Sequence, residues 1–376
     1  MSNKYAKLKA ISIVLTLMLI VTGLTGCANT EKQSNPNPEK EATTLTLTDM
    51  AGRQVVVPKA INKVYSAVPI GTVMIYTIDP GKLGALNFKL SELEKKYTVE
   101  EHHNLPVLGN YIMGSTANEE DILKLDPDII VYVGIINDSF KAQVEEAQQR
   151  LGIPIVMVDG NLKNAPAAYE FTGKLLGEEK RAGELAEYCR QTLAEAEKTA
   201  GKIPEDSKAR VYYACGADGL MTYVSGNIHS EVIDIVGGKN IAEIKVTNPY
   251  QNTQLSMEQL MKWNPDLIIT NKVEARGGEG GPVALRTKIL ENSNLGNLEA
   301  VKNQQIYEIP CAPFSWFGQP PSVARILGIK WLGNLLYPDE FKYDIKKEAK
   351  DFYKLFYNYD LTDQDLEELM SNATRK

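Results

Sequence analysis

Histidine is the scarcest ionisable residue of the chain: three in 376 residues, two of them side by side as His102-His103 and the third, His229, alone. A protein-held zinc or manganese site draws on several histidines and carboxylates at close spacing, and three histidines so placed give no metal-ligand set. Cysteine is nearly as rare. Beyond Cys27 there are only Cys189, Cys215 and Cys311, widely spaced and odd in number. They match no metal-site or cluster-binding spacing, and any disulfide among them leaves one thiol over. Catalytic signatures are missing too. Gly277-Gly278-Glu279-Gly280-Gly281 has no following Lys-Ser/Thr, so it is not a phosphate-binding loop, and neither Gly-x-Ser-x-Gly nor His-Glu-x-x-His occurs. No run of basic residues of the kind nucleic-acid binding needs is present. The net charge is −7, and a chain without its first 26 residues, which hold three lysines and no acid, carries −10. That excludes the basic patch that nucleic-acid binding requires.

Only one apolar run stands out. Lys4, Lys7 and Lys9 precede an apolar stretch over residues 10–21, and Leu24-Thr25-Gly26-Cys27 follows. This is secretory-signal architecture, shorter than the ~20 apolar residues that span a bilayer. The Leu-Thr-Gly-Cys ending resembles a bacterial lipobox, which implies lipidation of Cys27 and a chain anchored on the extracytoplasmic face of a membrane. Residues 28–43 are polar with two prolines and read as a disordered tether, about 50 Å long at full extension.

The remaining residues, too many for one ordinary core, are organised around a stretch used twice. Residues 118–131 read NEEDILKLDPDIIV and residues 256–269 read SMEQLMKWNPDLII, an ungapped match with five identities: Glu120/Glu258, Lys124/Lys262, Pro127/Pro265, Asp128/Asp266 and Ile130/Ile268. Asn118 and Ser256 are helix N-caps, and Ser256-x-x-Gln259 fits a capping box. Apolar residues at 122, 123, 125 and at 260, 261, 263 mark one buried face. Proline then ends the helix, and the run after Pro-Asp is apolar enough for a strand buried on both faces. Two copies of helix, turn and parallel strand predict two similar α/β lobes.

Around them, residues 44–58 alternate about Asp-Met-Ala-Gly-Arg and predict a β-hairpin. Strands are expected at 63–68, 83–86, 106–108 and 153–158 in a first lobe over 44–177. Residues 178–203 hold a long proline-free helix, roughly 34 Å over its 23 core residues, the natural stiff connector between lobes. A second lobe over 204–340 restarts with strands at 210–214 and 305–309, a helix at 230–236 and an aromatic, proline-rich loop at 310–321 before an apolar helix at 322–336. One or two amphipathic helices occupy 341–376. Strands alternating with helices argue parallel sheets flanked by helices.

Lipobox, tether, Asp-Met-Ala-Gly-Arg hairpin, two Glu-x-x-x-Lys-x-x-Pro-Asp units, connecting helix and Ser315-Trp316-Phe317 loop together resemble the substrate-binding lipoproteins of ABC importers for iron–siderophore complexes, haem and vitamin B12. The resemblance covers nearly all of residues 44–337. It implies an α/β fold of two Rossmann-like lobes with parallel sheets joined by one long connecting helix, no enzymatic activity and no cofactor of its own. The implied ligand is a small-molecule metal complex, a ferric chelate, held between the lobes of a monomer. The implied partner is an ABC permease dimer with its ATPase, reached through one carboxylate per lobe, here Glu120 and Glu258. Loops at the carboxyl ends of the strands would line the cleft: Tyr111 and Met113 in the first lobe, and Tyr223, Tyr250, Lys272, Arg276, Trp316 and Phe317 in the second. Aromatics suit a macrocycle or a catecholate, and the cations suit an anionic chelate. One departure weakens the anionic case: the arginine often found just after the last loop's proline is replaced by Ser322-Val323, with Arg325 inside the helix. A corrinoid, haem or a molybdate-type oxyanion is the alternative ligand, and a surface sensor or adhesin lipoprotein the alternative class.

Overall fold

Asp128 and Asp266, the last identical polar pair of the doubled stretch, do the same structural work in both lobes. A computed structural model describes residues 43–114, 116–246, 248, 250–272 and 284–375, with the unit Thr43–Lys376 carrying its own core. The proposed signal, Cys27, the tether and Arg276 lie outside the described residues. Within each repeat the helix (Glu119–Leu125, Met257–Trp263) is capped by Asn118 or Ser256, and its chain turns through a left-handed residue, Asp126 or Asn264, before the proline. The aspartate then reaches sideways. The Asp128 carboxylate accepts from the amides of Asn62 (2.7 Å) and Lys63 (2.8 Å), and Asp266 accepts from the amide of Arg210 (2.8 Å). Lys63 and Arg210 in turn donate to the open helix ends, at Leu125 O and Asn264 O. Each Pro-Asp thus sets the register of the neighbouring strand. Asp128→Ala is expected to lower unfolding free energy by about 2 kcal/mol, the scale for amides bonded to a charged group. Urea titration measures it, and a change below about 0.5 kcal/mol would mean water replaces the carboxylate without loss.

The strands follow. β1 (Thr44–Thr48) and β2 (Gln54–Pro58) form the hairpin, antiparallel in register. It is fastened to the first lobe by Asp49, whose carboxylate takes Arg53 and the Met157 amide. β3 (Val64–Ser66), β4 (Ile129–Gly134) and β5 (Ile155–Asp159) make an all-parallel sheet in that order. In the second lobe β6 (Arg210–Ala214), β7 (Met221–Thr222), β8 (Lys239–Asn240), β9 (Thr253–Gln254), β10 (Leu267–Asn271) and β11 (Ile306–Ile309) give a parallel sheet ordered β11-β10-β6-β8, with β7 and β9 as a small antiparallel pair. The segments at 83–86 and 106–108, expected as strands, contribute only single bridges, Val64↔Leu83 and Leu86↔Val107. Pro106 has no amide to donate and Gly109 turns the chain at φ 91°, so the ladder stops after one residue.

The Glu179–Ala200 helix joins the lobes, packed against Ala165–Leu176 at Gly173, where any Cβ would collide with Ala182. It does not act alone. The tail forms two helices, Ile345–Tyr357 and Asp363–Leu369, and these lie across both lobes. Phe314 of the second lobe meets Tyr76 of the first and Tyr357 of the tail edge to face, and those two tyrosines meet at a tilt, with centroids 5.6–6.4 Å apart. Lys96 pairs with Asp365 and Glu368, and Trp331 donates to Ala373 O. One apolar cluster consequently runs from Val55 to Ala373 through both lobes.

Candidate ligand cleft

The carboxyl ends of β3 and β4 face those of the second lobe across a cavity of roughly 300 Å³. The first lobe lines it with Val68, Pro69, Ile70, Phe88, Asn110 and Met113. The second lobe contributes His229, Tyr250, Gln319, Pro320 and Pro321. None of these side chains is charged, and most of the lining is apolar. Two features on the first-lobe wall are polar all the same. The Pro69–Ile78 helix opens there with no side-chain cap, so the positive end of its dipole points at the cavity. The Asn110 side chain has no partner among the described residues, and next to it Met113 holds a left-handed conformation at φ 66°.

On the second-lobe wall the polar groups are ordered by a chain of contacts. Tyr213 donates to the side-chain oxygen of Asn271 (2.8 Å), Asn271 to that of Gln319 (2.9 Å), and Gln319 to the hydroxyl of Tyr223 (3.0 Å). Tyr223 stacks on His229, centroids 4.3 Å apart and planes 17° apart. His229 Nδ1 meets the carbonyl of Gly318. A carbonyl only accepts, so Nδ1 carries the proton and Nε2 presents a bare lone pair. Among the described residues Nε2 has no hydrogen-bond partner. Burial lowers the His229 pKa to about 4, and the Arg325 charge adds to that. Gly318 is required here, because a Cβ would run into the His229 backbone.

Tyr250 crosses between lobes. Its hydroxyl accepts from the Ile135 amide at 2.6 Å, and its ring meets Phe140 edge to face at 5.7 Å.

Of the residues expected at the cleft, Met113 and Tyr250 line the cavity, and Tyr223 lies directly behind His229. Tyr111 is buried in the first lobe, donating to Glu119 (2.6 Å) and accepting from Arg150 (3.0 Å). Lys272 donates to Glu368 O and borders a separate cavity beside Tyr97 and Cys311. Trp316 is fully buried with its indole N–H on Tyr353, and Phe317 packs on Tyr213. The 310–321 loop does reach the cleft, but with Gln319, Pro320 and Pro321, while its aromatic rings turn inward. His229, Gln319, Asn110 and Phe88 carry no sequence signal that separates them from ordinary loop residues. Among the described residues no group of three metal-ligating side chains occurs, and no helix is long and apolar enough to cross a membrane.

Glu120 and Glu258 are exposed, each the second residue of its helix. Neither carboxylate has a partner among the described residues, unlike adjacent Glu119, which binds Tyr111 and Arg150.

Comparison with known proteins adds the family. The molybdate-binding protein MolA of Haemophilus influenzae is 24% identical over 340 residues, covering 83% of this chain and 90% of MolA. YvrC of Bacillus subtilis, an uncharacterized ABC transporter substrate-binding lipoprotein, is 23% identical over 349 residues, 89% of this chain and 99% of YvrC. Among solved structures, an ABC transporter solute binding protein from Sulfurospirillum deleyianum superposes with a TM-score of 0.78 at 28% identity, covering 87% of this chain and 99% of that one. The periplasmic binding protein family model matches residues 86–313, more than half of the sequence. The two-lobed α/β architecture and these matches agree: the chain belongs to the periplasmic binding protein family, the substrate-binding proteins of ABC transporters, and is not an enzyme.

Proposed function

We propose that this substrate-binding protein captures a ferric chelate on the extracytoplasmic face of the membrane, where a lipid on Cys27 tethers it, and delivers it to an ABC permease. The observation that carries the ligand class is His229: a neutral imidazole in the cavity lining, with its Nδ1 tied back and its Nε2 without a hydrogen-bond partner among the described residues. Such a nitrogen fills a coordination position that a chelate leaves open, while the apolar walls take the organic part of the ligand. A volume of roughly 300 Å³ is at the lower end for small-molecule sites. It suits a compact chelate better than a corrinoid or haem, which would enter by one edge only. With no cation among the described lining residues, a net-neutral complex is favoured over a strongly anionic one.

Titration of the protein with ferric chelates, haem, cobalamin and molybdate tests this. A ferric chelate with an open coordination position is expected to bind saturably with a shift in its visible absorption, and His229→Ala to weaken it at least about tenfold, or 1.4 kcal/mol. Because the folded pKa lies near 4, the imidazole stays neutral and affinity is expected to be flat from about pH 7.5 to 5, falling as pH drops through 4. The ligand-free protein should also lose stability as pH falls from the unfolded value of about 6.5 toward 4, since the unfolded chain binds the extra proton in that window. Equal affinity in His229→Ala would remove the imidazole from the site.

A second reading has its own support. The uncapped helix start at Pro69 offers a positive dipole end to an oxyanion, and MolA is described as molybdate-binding. Saturable molybdate binding with no chelate binding would favour it.

Delivery would use Glu120 and Glu258. Each helix leads into the amino end of its strand, so its first turn, with the glutamate, is directed toward the strand's carboxyl end, one glutamate in each lobe. Leu123, on the same helix as Glu120, is 51% exposed and adds apolar surface beside it.

A further inference from the structure

Outside the cleft, at the β11 edge of the second sheet, a cavity of roughly 420 Å³ is bounded by β11 and the tail, whose Asn372 carbonyl accepts from the Glu308 amide. Arg286, Lys302 and Arg375 line it together with Gln304, Tyr307 and Asn372, and among the described residues no acidic side chain does. The chain as a whole is acidic, with 48 Asp and Glu against 41 Lys and Arg, so three cations around one hollow depart from its average. Both guanidinium groups are fixed through one nitrogen only: Arg286 Nε donates to Ile306 O (2.9 Å) and Arg375 Nε to Leu335 O (3.0 Å). Their terminal nitrogens have no partner among the described residues. Tyr307, between them, feels both charges, which pull its phenol down against the larger upward push of burial. Glu299 offsets Lys302 in part from 3.6 Å, outside the lining. Gln304 adds an independent mark. It holds φ 52° without being glycine or asparagine, a conformation uncommon for such a residue and maintained where surrounding structure imposes it.

We propose that this cavity is a second ligand site, for a phosphate group. Two guanidinium forks, each held in orientation through Nε with the remaining N–H donors free, match the oxygens of a phosphate in bidentate geometry. Lys302 supplies a third, more mobile charge. An anion here relieves the mutual repulsion of three cations that no lining carboxylate neutralises. The site shares no residue with the cleft and does not depend on which cargo the cleft takes. The phosphate is either a soluble phosphate compound or the headgroup of an anionic phospholipid.

The experiment uses the Thr43–Lys376 unit, which holds the whole core. Inorganic phosphate is titrated by calorimetry, and co-sedimentation is measured with vesicles of phosphatidylglycerol and of phosphatidylcholine. Saturable phosphate binding with a Kd of about 1 mM or tighter is expected, at least fivefold weaker in Arg286→Gln and in Arg375→Gln and unchanged in His229→Ala. Phosphate binding without preference for phosphatidylglycerol assigns a soluble ligand. Vesicle binding that is stronger for phosphatidylglycerol and lost in the arginine variants assigns the headgroup. Arg375 lies outside every described helix and strand, so its variant keeps the test valid should Arg286→Gln fold poorly. No saturable binding in either arm, or binding equal in all variants, overturns the proposal.

Discussion

Charge reversal at both Glu120 and Glu258 is expected to abolish import while leaving cargo affinity within about twofold of wild type. Both carboxylates are exposed and have no partner among the described residues. Each occupies the same place at the start of a repeat helix, one per lobe. A permease dimer presents the same surface twice, so a pair of equivalent acids is the complementary arrangement. Turning two favourable charge contacts into like-charge contacts costs several kcal/mol, and every 1.4 kcal/mol is tenfold, so docking should weaken by about a hundredfold or more. A single reversal leaves one contact and should give an intermediate rate. The competing explanation is that both acids merely complement their helix dipoles, worth about 0.3–1 kcal/mol each. That explanation predicts slightly lower melting temperatures and normal import. Uptake of labelled cargo by cells carrying the double variant, with binding measured on the purified protein, separates the two. Undiminished import would end the docking assignment.

The second large effect is expected at Arg325. Its side chain is almost fully buried, with Nε on Ser322 O (2.9 Å), Nη1 on Ile228 O (3.0 Å) and on the Glu231 carboxylate, and Nη2 on Gly160 O (3.0 Å). Glu231 also accepts from the Leu162 amide, at 3.2 and 3.3 Å. Gly160 and Leu162 belong to the first lobe, Glu231 and Arg325 to the second, so this pair pins the lobes together beneath the cleft. Burial pushes the Glu231 carboxyl above its usual range and Arg325 pulls it back. Arg325→Met should therefore cost about 3–5 kcal/mol, because it leaves a buried carboxylate unpaired and two carbonyls without donors. The sign with pH follows from the raised carboxyl. Protonation removes the stranded charge, so the deficit should be largest near pH 8 and shrink as pH falls toward 5. Pairing Arg325→Met with Glu231→Gln should recover part of the loss at pH 8. Urea unfolding at both pH values measures these differences, and a deficit under about 1 kcal/mol independent of pH would show that the lobes are held by the tail and the connecting helix alone.

The arginine illustrates how far a sequence reaches. From order along the chain, Arg325 reads only as a helix residue standing two places beyond where an arginine would contact an anionic ligand. In the fold it is turned away from the cavity, because Glu231 and the first-lobe carbonyls lie on its side of that helix. Trp316 and Phe317 behave likewise: a loop rich in aromatics and prolines reads as a ligand wall, yet these rings pack into the core, on Tyr353 of the tail and Tyr213 of β6, while Gln319 and the two prolines form the wall.

The sequence by itself determined the α/β class, the doubled unit, the caps, the connecting helix and the two equivalent glutamates. All of these are local, since hydrophobic period, capping side chains and turn residues act within a few positions. Tertiary structure alone decided the composition of the cleft, the tautomer of His229, the crossing of Tyr250 to Ile135 and the tail's hold on both lobes. Each of these joins residues far apart in the chain, 115 positions in the case of Tyr250 and Ile135. Which face of a loop meets another loop depends on how the two sheets dock, and no period or spacing in one segment records the partner it will find.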